Sequence, residues 1–265
     1  MSSLHRKGWA CLMYHDTPAL DSTDYFSVTG VALKEQLDLC ARLSLRARSL
    51  ESILQDAEAG AGNEQSVAIT FDDAYRSNYE VALPVLSAQG ATATVFVVTS
   101  WVGTSRYCTW TELAALRDAG WSIQSHTHTH PFLSQLNEDQ VRTELTTSRN
   151  ELEQHLGSPV LTLALPNGDF PQARFRRLLR ESGYRWIATS RWGPNGAGQV
   201  SAREIRRYTV RRSTTIDRFA QLASASSGAY SREGLRLSLL NRVRQALGPT
   251  LYRSLRASAL RTLNS

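Results

Sequence analysis

The segment Ser125-His126-Thr127-His128-Thr129-His130-Pro131 carries three of the six histidines of a 265-residue chain, at alternate positions. His126 and His130 are four apart, a spacing that puts two imidazoles on one face of a helical turn, where they can share a metal ion. Upstream, Ile69-Thr70-Phe71-Asp72-Asp73 is an apolar run closed by two adjacent acids. At the end of a buried strand, such a pair sets negative charge where a parallel sheet opens to solvent, the edge at which α/β proteins build their sites. Two His and one Asp make a facial three-ligand set that leaves positions for water and substrate. The other Asp then stands beside the activated water as a base. Taken singly, each stretch has a plainer reading: the Asp pair can cap the next helix, and the His-rich hexamer can be a solvated loop or weak metal sink. Their pairing, each behind an apolar run, favours a site.

Thr70-Phe71-Asp72-Asp73 followed by His126-Thr127-x-x-His130-Pro131 resembles the first two motifs of the polysaccharide deacetylase family, the NodB-homology carbohydrate esterases. Ala164-Leu165-Pro166-Asn167-Gly168 stands where that family has Arg-x-Pro-aromatic-Gly, with Ala for the Arg and Asn for the aromatic residue. The resemblance runs from about Trp9 to about Val210. It implies that Asp73, His126 and His130 hold a divalent metal, Zn²⁺ first and Co²⁺ or Ni²⁺ as alternatives, and that Asp72 is the general base. It also implies that the backbone N–H of Asn167 occupies the oxyanion position, a role that survives a side-chain change. The implied reaction is hydrolytic de-N-acetylation of a sugar in a polysaccharide, oligosaccharide or lipid-linked glycan. A deformylase or amidase of the same fold with a small non-glycan substrate is the alternative enzyme, and a glycan-binding pseudoenzyme the alternative outside catalysis.

Two departures bear on the chemistry. The family's third-motif Arg orients the base, which Ala164 cannot do. Its late motif supplies a His as general acid, yet no His follows His155. His15, just behind the first apolar run, is the remaining candidate, because the first and last strands of a barrel are neighbours and a group on one can replace a group on the other. Family members with permuted motifs look like this. Asp16 is placed to orient the His15 ring. Among the remaining groups, His128 alternates with the two ligands and faces away, and His155 reads as surface. Trp101, Tyr107 and Trp192 are loop aromatics on which a sugar can stack or which can cap the core.

The elements that must position these residues alternate at short spacing. Apolar strand-like runs are expected at 9–14, 67–71, 93–98, 121–124, 160–165, 184–189 and 205–210. Helical patterns fall at 31–43, 50–59, 77–89, 109–120, 137–156, 171–182 and 216–225. Thr109 with Glu112 is spaced as a capping box, and Asn137 and Gly157 bracket the long helix. This pattern predicts an α/β fold with parallel strands, a distorted (β/α)7-type barrel. All the motifs fall just behind strands. An apolar share of 42% and a charged share of 20% exclude a disordered chain, and no stretch has the length and apolarity of a membrane span. The three cysteines, Cys11, Cys40 and Cys108, lack metal-site spacing and read as reduced and structural.

The charge is uneven. From Arg232 onward there are seven Arg against one acid, Glu233, which equals the whole net charge of +6. With Leu239, Leu240, Val243, Leu247, Leu251 and Leu255 between them, residues 232–265 read as a basic amphipathic helical tail behind a barrel of residues 1–231. Such a tail can pack on the barrel or lie on an anionic bilayer; nucleic acid is not an expected partner, because no binding motif is present. Without an apolar run behind the charged first residues, the chain reads as cytoplasmic, with a peripheral position at the inner membrane face.

Overall fold

The computed structural model describes residues 8–62, 65–169 and 173–225. β1 (Ala10–Tyr14) and β3 (Ser66–Asp72) are buried along their whole length, as continuous apolar strands of a parallel sheet covered on both faces should be. They pair in register from Ala10 with Val67 to Tyr14 with Phe71. β4 (Thr94–Val97), β5 (Ser122–Ser125), β6 (Thr162–Ala164) and β7 (Trp186–Ala188) follow one another outward from β3, all parallel.

The last predicted strand is broken in two. β8 (Glu204–Ile205) pairs with β7, while β9 (Tyr208–Thr209) pairs with β1. The single segment 204–209 therefore joins the two ends of the curled sheet, so the expected neighbourhood of first and last strands is present. Arg206 and Arg207 lie in the break. A short strand β2 (Arg46–Arg48), too polar to stand out in the sequence, pairs with the start of β3.

The helices cover the outside. α1 (Gly30–Arg42) is capped by Thr29 and buries Leu33, Leu37 and Cys40; α2 (Leu50–Glu58) is capped by Ser49. The helix expected at 77–89 begins as a π-helical turn, Asn78–Ala82, before α3 (Leu83–Ser87). Pro84 has no N–H for the carbonyl four residues back, and the widened turn absorbs that mismatch. α4 (Trp110–Asp118) carries the Thr109–Glu112 capping box. α5 (Glu138–Leu156) starts at Asn137 and stops at Gly157, which takes φ 63°. α6 (Ala173–Glu181), an unforeseen α7 (Ala197–Ala202) and α8 (Ile216–Ala223) complete the described elements, with α8 packed on α1 and β1. All three cysteines are free and buried. No helix among the described residues is long and apolar enough to cross a membrane. The tail of residues 232–265 lies outside the described residues.

Candidate active site

The sheet delivers its polar residues at the C-terminal ends of its strands. Asp72 is the last residue of β3, and the chain then turns through Asp73 and Ala74 at φ 72° and 57°. That turn aims two consecutive carboxylates, which would leave a strand on opposite faces, into one pocket. His126 follows β5, Asn167 follows β6 and His15 follows β1. Thr127, His130 and Asn167 also have positive φ, so five of the eight such non-glycine residues among the described ones surround this pocket. Backbone strain concentrated in this way marks a functional constellation.

Asp73 Oδ1 lies 3.6 Å from His126 Nε2 and 3.6 Å from His130 Nε2. The three donor atoms all lie within 4.8 Å of one another. Tetrahedral ligands about 2.1 Å from a shared ion stand about 3.4 Å apart, so the pocket has the spacing a cation needs. Two further observations fit. His126 Nδ1 lies 2.9 Å from the Ala164 carbonyl and donates to it, which leaves the Nε2 lone pair aimed at the pocket. Asp73 Oδ1 is buried and has no hydrogen-bond partner. Burial first, and the neighbouring Asp72 charge second, push the Asp73 carboxyl up to about 8; a cation beside it would offset both. The His pair does not lie on a helical turn. It belongs to an irregular loop, because the left-handed residues Thr127 and His130 leave the i,i+4 relation without its helix.

Asp72 is nearly solvent-free and is clamped by a residue the sequence reading missed. Arg207 Nη1 donates to Asp72 Oδ1 at 2.5 Å and Nη2 to Oδ2 at 2.9 Å. The guanidinium is fully buried; its Nε donates to the Thr189 carbonyl at 3.2 Å, and its Cζ sits 5.1 Å from the centre of the Phe96 ring. Burial alone would raise the Asp72 carboxyl; the Arg207 charge, helped by His126 and His15, overcomes this and holds it at about 2. Arg207 therefore makes the two-point contact to Asp72 that Ala164 cannot. One signal was present in the sequence: in a strand covering 205–210, Arg207 shares its face with Ile205 and Thr209, and an Arg facing a core requires an ionised partner.

His15 packs its ring on Phe26 at 4.9 Å, and its Nδ1 is buried without a hydrogen-bond partner. Burial pulls its pKa down to about 4 against the opposing pull of Asp72. Asp16 does not orient it. That carboxylate accepts a 2.6 Å hydrogen bond from Ser77 Oγ instead. Asn167 takes φ 60°, which Asn tolerates, and its Nδ2 donates to the His130 carbonyl at 3.3 Å. Trp101 lies 5.1 Å from the His130 ring and continues into Tyr107 and Tyr75 at 4.8 and 5.0 Å, forming one wall beside the pocket. Trp192 packs against Tyr208 and Arg218. His128 engages Thr99 and Glu151, and the exposed His155 stacks on Trp110 at 4.1 Å.

A family model for polysaccharide deacetylases matches residues 59–187, the stretch that holds Asp72, Asp73, His126, His130 and Asn167. Residues 59–187 belong to the polysaccharide deacetylase family. YxkH of Bacillus subtilis, which bears a provisional polysaccharide deacetylase name, is 29% identical over 131 residues, 49% of this chain and 47% of its own. The poly-β-1,6-N-acetyl-D-glucosamine N-deacetylase of Staphylococcus epidermidis is 28% identical over 109 residues, 39% of this chain and 38% of its own. The chain thus spans less than half the length of each of these curated relatives. Among solved structures, the Streptococcus pyogenes deacetylase PplD in complex with acetate superposes with a TM-score of 0.74 at 22% identity, covering 82% of this chain and 98% of that one. IcaB from Ammonifex degensii gives 0.73 at 24% identity, covering 83% and 98%. These two likenesses establish the fold. His15 and Arg207 both lie outside the segment that the polysaccharide deacetylase model matches.

Proposed function

We propose that this polysaccharide deacetylase family member is a metal-dependent de-N-acetylase of an N-acetylated glycan. The observation that carries the reading is the convergence of Asp73, His126 and His130 beside a carboxylate, Asp72, clamped by a buried Arg207. Zn²⁺ suits the two-nitrogen, one-oxygen donor set, and Co²⁺ or Ni²⁺ would also fit. Once bound, the cation would supply Lewis acidity toward the amide carbonyl and toward a water. The chain's own residues do the rest. Asp72, ionised at any physiological pH, accepts the proton of the attacking water. Arg207 keeps that carboxylate in one orientation. The backbone N–H of Asn167 donates to the carbonyl oxygen as negative charge builds on it. The proton that Asp72 takes from the water has to reach the departing amine; His15, neutral at physiological pH because burial holds its pKa at about 4, passes that proton on instead of supplying one of its own.

The N-acetylglucosamine polymer named for the Staphylococcus epidermidis relative suggests the substrate class, and the aromatic wall of Trp101 and Tyr107 suits a sugar face. The buried Asp72–Arg207 pair weakens the pseudoenzyme reading, since a binding protein needs neither a base nor a cation to orient it. The basic, Leu-rich sequence of residues 232–265 supports a peripheral position at the cytoplasmic face of a membrane. Acetate release from N-acetylglucosamine oligomers and from lipid-linked N-acetyl sugars, with and without added metal, tests the proposal. Release that requires metal supports it, and no release from either class, with metal bound, would sink it.

A further inference from the structure

We propose that Glu144 is the positioning residue that holds the His126–His130 loop in its metal-binding shape and so sets the affinity of the site for a divalent cation. This rests on the metal reading given above. The two histidines belong to no regular element, and Thr127 and His130 take φ of 71° and 60°, a left-handed region that is strained for a non-glycine residue. A loop in that shape needs support from outside itself.

Glu144, on the second turn of α5, provides it. Its Oε2 accepts from the backbone N–H of both His128 and Thr129, at 2.9 and 2.8 Å, and its Oε1 accepts from Thr129 Oγ1 at 2.6 Å. Consecutive N–H groups turned the same way form a concave anion site; here the chain fills it with its own carboxylate, midway between the two ligands. The same face of α5 continues the contact at the fourth and seventh positions onward. Ser148 Oγ meets Ser125 Oγ at 2.9 Å, one residue before His126, and Glu151 lies 3.4 Å from His128 Nδ1. From the opposite side, Thr99 N and Ser100 N donate to the Thr127 and His128 carbonyls at 3.3 and 3.0 Å, and Thr99 Oγ1 lies 2.8 Å from His128 Nδ1. The middle histidine is thereby committed to the clamp, which explains why three histidines alternate while only two reach Asp73. Glu144 is half-buried on the flank of α5, outside the apolar face formed by Val141, Leu145 and Leu152, so the barrel core does not depend on it.

Chelator competition with Zn²⁺ on the purified full chain reads the affinity, and melting of the metal-free protein reads the fold. E144A should weaken Zn²⁺ binding about tenfold or more, the size typical of groups that orient metal ligands, with the metal-free melting temperature unchanged. E144Q keeps an oxygen for the two amides and should recover most of the affinity. Wild-type affinity in E144A overturns the proposal. An equal loss in E144A and E144Q overturns it too, since charge rather than loop geometry would then be the cause. If E144A also melts early, T129V decides, because it removes only the hydroxyl contact: weaker binding at unchanged melting sustains the assignment, and unchanged binding ends it. A wild-type protein that binds no divalent metal defeats the metal reading itself, an outcome distinct from E144A binding like wild type.

Discussion

Arg207 and Asp72, 135 positions apart in the chain, meet inside the barrel through two parallel hydrogen bonds of 2.5 and 2.9 Å, with the guanidinium wholly out of solvent. The pair does two things at once. It neutralises a cation that the broken last strand would otherwise bury alone, and it presents one ionised carboxylate edge to the pocket of Asp73, His126 and His130. Removing either partner leaves the other charge uncompensated in a medium that solvates it poorly.

Replacing Arg207 by Met should therefore cost stability on the order of 3–5 kcal/mol, read by urea denaturation, and should abolish hydrolysis. The acid side of the wild-type stability curve carries the same information. The Asp72 carboxyl sits at about 2 in the folded protein against an ordinary 3.8, so the unfolded chain takes up the proton more readily. The pair's contribution is then complete above about pH 4 and is lost as pH falls toward 2. Denaturation midpoints that stay level across that window would remove Asp72 from the account.

Alanine at Asp73, His126 or His130 should lose bound metal and activity together, because three ligands leave none to spare. Metal content by elemental analysis is the check; a full equivalent of zinc in H126A would dismiss this ligand set.

D72N should retain the metal while kcat drops by about two orders of magnitude or more, the usual loss for a missing general base. Single-turnover rates on a glycan substrate, set beside metal content, separate this from a site that has collapsed. A mild loss would hand the base to another group, His15 first.

H15A should leave metal binding intact and should slow poor leaving groups most. An activated anilide, whose amine needs little protonation, should be cleaved at nearly the wild-type rate. Equal losses on both substrates would make His15 a packing residue under Phe26.

Deletion of residues 232–265 should leave hydrolysis of a short soluble substrate unchanged and end co-sedimentation with anionic liposomes, each Arg near such a surface contributing roughly 1 kcal/mol. Full-length protein that ignores these liposomes at low salt would refute the membrane role.

What could be read from the sequence was local. Thr109 and Glu112 cap α4 across three residues, Gly157 ends α5 at its own φ, and the continuous burial of β1 and β3 follows from their apolar runs. The cluster of Asp73, His126 and His130 was legible for a related reason: adjacent acids and alternating histidines are rare enough in 265 residues to be noticed without knowing what they face. Long-range choices belonged to the tertiary structure. Arg207 is one of 30 Lys and Arg residues, and which acid it meets is decided only when the segment 204–209 closes the curled sheet and brings it to Asp72. Asp16 turned to Ser77 instead of the neighbouring His15, and His126 and His130 met through two left-handed residues instead of a helical turn. Each of these depends on which buried charge or backbone group lacks a partner once the sheet has curled, and that shortage does not exist until distant segments are packed together.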